Sequence, residues 1–168
     1  MTERRWLDGY AGQTTEALLA MEDGFRPDSI VLALEAGIAA KAERLGGTDR
    51  LTEAERVVLA VEALEREVNN DGFDGLFRVA ADIVPGLEGA LRAIGRADVA
   101  EIAAEAIAAL RLSGGPTPDA VAAAMEIDDE ERDERLGHLD ERYYDTAGDL
   151  ADPLLAYIRG AIASVVLP

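Results

Sequence analysis

Cysteine is absent from the 168-residue chain. That excludes disulfides, cysteine-ligated zinc, iron–sulfur clusters and a thiol nucleophile together. Aromatic residues make up only 5% of the chain against a hydrophobic fraction of 49%, so the core must be built from Leu, Ile, Val and Ala. Leu and Ala favour helix. The single histidine is His138, so no two-histidine or His–Cys ligand set can be assembled. Arg135 stands three residues before it, which removes the Glu-x-x-His pairs of carboxylate di-metal bundles as well. Long apolar runs are missing. The most apolar stretch, Leu154 to Leu167, is too short for a bilayer span and carries Arg159 in its middle. Charges also interrupt Met1 to Asp8, where a secretion signal needs apolar residues. The expectation is a cytoplasmic protein that does not enter a membrane, with no metal and no cofactor.

Positive charge is the other scarcity. There are 16 basic residues against 34 acidic ones, a formal charge of −18. All but one of the basic residues are arginine, the exception being Lys41. A chain this acidic repels phosphate, so nucleic acid and anionic membrane are excluded as direct partners. A basic protein is the partner that such charge suits.

What is present is helical periodicity, with no alternating strand-like runs. Thr14 to Met21 offers Ala17, Leu18 and Met21 on one face of a short helix. Pro27-Asp28-Ser29 supplies an N-cap for a helix that places Val31, Leu34, Ile38, Ala42 and Leu45 on one stripe and stops at Gly46-Gly47. Thr52 and Glu55 have the spacing of a capping box. The helix behind them carries Ala54, Val57, Val58, Val61, Leu64 and Val68 inward, with Glu62 and Arg66 paired at i,i+4 on its outer face. Phe73, Leu76, Phe77, Ala80 and Ile83 form the next stripe, which Pro85-Gly86 interrupts. Leu87 to Ile94 and Val99 to Leu110 supply two further amphipathic segments. Thr117-Pro118 restarts the chain with a cap and a proline at the first helical position. Leu136, Leu139 and Tyr143 face the core from the charged segment Asp128 to Asp145, and Leu155, Ile158, Ile162 and Val165 form the last stripe. The spacing predicts an all-α fold: one domain over residues 1–168, an irregular bundle of eight or nine short to medium antiparallel helices joined by short connections.

Catalytic apparatus is missing from this pattern. There is no phosphate-binding glycine loop and no Gly-x-Ser-x-Gly. Carboxylate pairs such as Glu62 and Glu65 are expected by chance among so many acids. Asn69-x-Asp71-Gly72 looks like part of a calcium loop, but placing Gly72 at the glycine position puts Arg78 where the bidentate carboxylate belongs. The chain is expected not to be an enzyme. Asn69-Asn70-Asp71-Gly72 reads as a tight helix–helix corner, because Asn tolerates left-handed geometry and Gly adopts it freely. The two Asn side chains can bond backbone groups left open at the helix ends, and Phe73 and Phe77 pin the second helix to the core. The corner is therefore a structural feature, with amide recognition of a small molecule at Asn69–Asn70 as the functional alternative.

At this corner the sequence resembles the family of the small acidic bacterial DNA-mimic protein. That family's motif is Glu-Val-Asn-Asn-Gly-Gly-Phe-x-Gln followed by two aromatics and an Asn. Glu67, Val68, Asn69, Asn70, Gly72, Phe73 and Phe77 match it, whereas Asp71 replaces a Gly, Gly75 the Gln, Leu76 an aromatic and Val79 the Asn. Leu51 to Arg56, Tyr10-Ala-Gly-Gln13, Leu139 to Tyr144 and Leu154 to Ile158 are similar too, giving a family-like core over about residues 10–160. The resemblance implies an all-α homodimer. It also implies that at least one relative imitates duplex DNA to occupy a helix-turn-helix regulator.

The acidic residues have a pattern compatible with such mimicry. Glu126 to Asp145 holds ten acids and three arginines. With Leu136, Leu139 and Tyr143 inward, Glu130, Glu134 and Glu141 point outward, with Asp133 and Asp140 near the same edge. The expected function is an acidic protein-binding module, a DNA mimic that occludes a basic DNA-binding protein, such as a regulator. The competing readings are an immunity-type inhibitor of a basic toxin or nuclease, and a small-molecule-binding domain using the Asn69–Asn70 corner.

Overall fold

In the computed structural model, which describes residues 3–168, every named element is helical. The fold is all-α. Eight α-helices lie among the described residues: α1 (Thr15–Leu19), α2 (Pro27–Leu45), α3 (Glu53–Val79), α4 (Val84–Ala93), α5 (Ala97–Ala109), α6 (Pro118–Met125), α7 (Glu130–Thr146) and α8 (Ala151–Gly160), with 3₁₀ turns at Ala81–Ile83 and Ile162–Ser164. Met1 and Thr2, the first residues of the segment read above for a secretion signal, lie outside the described part. No helix among the described residues is long and apolar enough to cross a membrane.

The chain divides into two compact units. The first runs up to Glu62 and takes in Ala151–Pro168. Its core consists of Leu18 from α1, Ile30, Val31, Leu34 and Ile38 from α2, Val58 and Val61 from α3, and Leu154 and Ile158 from α8, all inaccessible to solvent. The capping box that opens α3 forms as its spacing predicts. Thr52 Oγ1 accepts the Glu55 amide at 3.1 Å, and Glu55 Oε2 accepts the Thr52 amide at 3.0 Å. Glu55 is itself fully buried. Its other oxygen accepts from Lys41 Nζ at 2.6 Å and from the Val166 amide at 3.0 Å. Further side-chain bonds hold the segment around Val165: Thr15 Oγ1 donates to Val165 O, Lys41 Nζ to Val166 O and Thr52 Oγ1 to Ser164 O.

Several local expectations need correcting in this unit. Ala17 is exposed and Thr15 is buried in its place, because the Thr15 hydroxyl has an internal carbonyl to bind. The N-cap of α2 is Arg26, which makes no side-chain cap bond; Pro27 starts the helix, and Asp28 bonds Arg26 instead. Glu62 is buried and does not lie on an outer face. The last helix stops at Gly160, leaving Ile162 in a 3₁₀ turn.

The second unit, Ala63–Leu150, positions the site. Here α5 packs against both α4 and α7. Val84 opens α4 with Pro85 in its first turn, so this proline starts a helix and does not merely interrupt one. Thr117 caps α6 as expected, its hydroxyl oxygen accepting the Ala120 amide at 3.2 Å. The surprise lies in the charged run before α7. Arg132 is only 3% exposed. Its guanidinium donates to Ala124 O at 2.7 Å and Ile127 O at 2.9 Å and pairs with Asp133 at 2.8 Å. It fills the open carbonyl end of α6, where cations are favoured.

Candidate functional site: the α3 corner and the acidic face of α7

The corner predicted at Asn69–Gly72 is present, but the chain turns so tightly that helix resumes at once. Within α3 only Asp71 (φ −137°, ψ 19°) and Gly72 (φ 68°, ψ −169°) leave helical geometry. The Gly72 conformation is one that side-chain-bearing residues avoid. Phe73 and Phe77 are fully buried. Their ring centroids lie 6.1 Å apart, and the Phe73 ring meets Tyr143 of α7 edge-on at 6.0 Å. The motif residues thus anchor the corner to α7 through aromatic contacts.

Other motif residues face outward. Asn69 is exposed and uses its side-chain amide to bond Glu65 O one turn back, at 2.6 Å. Asn70 is exposed. Glu67 is half-buried and pairs with Arg66 at 3.0 Å.

Asp140 departs from its expected place on the outward acidic face. It turns toward the corner and is half-buried. Its carboxylate accepts the Phe73 amide at 2.8 Å and sits where a Cβ on residue 72 would have to go. Asp140 therefore caps the second half of α3 from a distant part of the chain. Burial pushes its carboxyl above the ordinary range; the bond from Phe73 opposes this, and the nearby Asp74 charge adds to the rise.

Behind the corner, the Tyr143 hydroxyl donates to the Glu65 carboxylate. Burial raises the Glu65 carboxyl, the Tyr143 bond lowers it, Asp149 raises it and Arg96 lowers it, with the net shift upward. A carboxyl that titrates higher in the folded than in the unfolded chain favours folding most below its ordinary value. That advantage disappears as pH rises through the folded value. Stability should therefore slope downward as pH rises above 4.5, the ordinary Glu65 value, and Asp140 should contribute the same sign. A Glu65→Gln variant should flatten that slope, because Gln still accepts from Tyr143 without ionising. Urea midpoints measured across the slightly acidic range check this, and a wild-type slope that persists in the variant would refute it.

The outer face of α7 carries a row of acids without cation partners among the described residues. Glu130, Glu134, Glu141 and Asp145 are all exposed and form no ion pair. Asp133 is exposed but neutralised by Arg132. On the flank toward α5, Glu131 pairs with Arg111 at 3.1 Å, and Glu105 pairs with Arg142 at 2.8 Å and Arg135 at 3.7 Å. All of these groups except Arg111, together with Glu134 and His138, line an open recess of about 370 Å³. Among the described residues no cluster of His, Asp or Glu is arranged to hold a metal ion. The unit that contains α7 has 21 acids and eight arginines, so it holds −13 of the total −18.

Three residues of this site escaped the sequence reading. Arg132 lay in a run that looked like solvated surface. Glu65 looked like one acid among many. Tyr144 was noted only as part of the segment Leu139 to Tyr144. Spacing could have separated Tyr144 from its neighbour, since Tyr143 is in register with Leu136 and Leu139 and Tyr144 is not.

The family described as DMP19-like protein matches the chain over residues 49–161, about two thirds of its length. This corrects the family assigned above from the Glu67–Phe73 motif, that of the small acidic bacterial DNA-mimic protein. The match starts after α2, so Tyr10-Ala-Gly-Gln13 lies outside it. No curated protein and no solved structure matches the chain. By the match over residues 49–161, which takes in the corner and the whole of α7, the chain belongs to the DMP19-like protein family.

Proposed function

We propose that this chain is a non-enzymatic acidic binding module whose α7 ridge occupies a basic, DNA-binding protein in place of DNA. The observation that carries the reading is the row Glu130, Glu134, Glu141 and Asp145, exposed and without cation partners among the described residues, while Glu131, Asp133 and Glu105 beside it are paired. A helix rises about 1.5 Å per residue, so the steps along this row are roughly 6, 10 and 6 Å. Phosphates on one DNA strand advance about 3.4 Å per nucleotide, so the row matches two, three and two nucleotide steps. Family membership fits a DNA-mimic module. The partner would be a basic regulator or another basic DNA-binding protein.

Binding of this kind is expected to weaken steeply with salt, because it rests on long-range attraction between opposite charges. Capture of partners on the immobilised protein, followed by competition with duplex DNA, tests it. The captured protein should leave DNA when this chain is added. A Glu130→Gln, Glu134→Gln, Glu141→Gln triple variant should bind it roughly ten-fold more weakly and with less salt dependence. A partner that stays on DNA, or that binds the triple variant as well as wild type, would end the proposal.

A further inference from the structure

Beside the acidic row stands an exposed aromatic side chain that the fold holds in place. Tyr144 is 51% exposed, the largest exposure of any aromatic in its unit. Its hydroxyl donates to Val68 O at 2.8 Å, and its ring meets Tyr143 edge-on with centroids 6.1 Å apart. The tip of the side chain and its contact with Tyr143 are therefore fixed, while about half of the residue remains open to solvent. A helical side chain leans over the turn that precedes it, and in that turn lies Glu141, exposed and without a cation partner among the described residues.

We infer that Tyr144 is an aromatic platform for an arginine of the partner, so that the acidic face selects arginine-rich over lysine-rich basic segments. This rests on the acidic-module reading above and names its partner's chemistry. A guanidinium is flat and weakly hydrated. It stacks on a tyrosine ring while directing its N–H fork at a carboxylate, here that of Glu141. An ammonium keeps its water and offers no plane to stack. The ring needs no ordering on binding, because the Val68 carbonyl already holds it, and pre-organised contacts lose less entropy on association.

Arginine also pairs better than lysine with carboxylates alone. A preference for arginine is therefore not diagnostic by itself, but its dependence on residue 144 is. Fluorescence anisotropy with labelled nona-arginine and nona-lysine, on wild type, Tyr144→Leu, Tyr144→Phe and the Gln triple variant, separates the two. Tyr144→Leu should weaken nona-arginine binding roughly three- to ten-fold and leave nona-lysine almost unchanged. Tyr144→Phe, which keeps the ring and loses the Val68 bond, should retain most of the arginine preference. If Tyr144→Leu weakens both peptides equally, or neither, the platform is wrong. If in that case the triple variant still loses both peptides, the acidic-module reading survives. Failure of wild type to bind either peptide would overturn both.

Discussion

Glu55→Ala is expected to lower the stability of the protein by about 3 kcal/mol, the loss typical when one member of a buried ion pair is removed. The carboxylate is inaccessible to solvent, and truncation strands several donors at once. Lys41 Nζ loses its ion-pair partner at 2.6 Å and keeps only the Val166 carbonyl, the Val166 amide loses its acceptor at 3.0 Å, and the Thr52 amide loses the second half of its capping box. Each stranded donor costs about 1–3 kcal/mol where water cannot reach it. For a chain of this size the melting temperature should fall by about 6–12 °C. Glu55→Gln should lose less, since its carbonyl still accepts one of these bonds. The pH dependence has a definite sign. Burial alone would raise the Glu55 carboxyl, but the bonds from Lys41, Val166 and Thr52, with the Lys41 charge, together hold it below the ordinary value. The stabilisation is therefore complete above that ordinary value and is lost as pH falls through the folded one. Chemical denaturation of both variants in acid and at neutral pH checks the claim. An alanine variant as stable as wild type at neutral pH would show that the network is dispensable.

Gly72→Ala should be comparably damaging, by about 3 kcal/mol, for two separable reasons. Any Cβ at φ 68°, ψ −169° is strained, which costs on the order of 1–3 kcal/mol. The same atom also falls inside the van der Waals envelope of the Asp140 carboxylate. To make room, Asp140 must leave the Phe73 amide. Asp140→Ala alone removes that cap and should cost about 1 kcal/mol. The double variant should therefore be less damaged than the sum of the two single variants, since the steric conflict disappears once Asp140 is shortened. Additive losses in the thermodynamic cycle would mean that backbone strain alone is responsible and that the carboxylate does not obstruct the site.

What the sequence revealed and what it concealed divide along contact distance. The Thr52–Glu55 box, the Thr117 cap and the inward stripe of α3 were legible, because each depends on residues one turn apart. The corner was legible from Asn-Asn-Asp-Gly, whose geometry is local. Its cap was not. Asp140 reaches Phe73 across 67 residues, and nothing near Asp140 sets it apart from Asp133 or Glu141. Arg132 was hidden for a similar reason. Its neighbours are acids, so the run reads as solvated surface, while the carbonyls that hold it inside belong to the last turn of α6 and the residues just after it. Glu62 shows the limit of pattern matching on α3: an i,i+4 partner suggested an exposed position that the packing does not supply.

The reach of Asp140 also bears on the order in which the chain can assemble. As the protein leaves the ribosome, the amide of Phe73 has no acceptor until α7 has been synthesised, and Gly72 has no neighbour to hold it against the bend. The bend in α3 is therefore completed by a carboxylate 67 residues further along the chain, and its full capping is expected only once α7 is present.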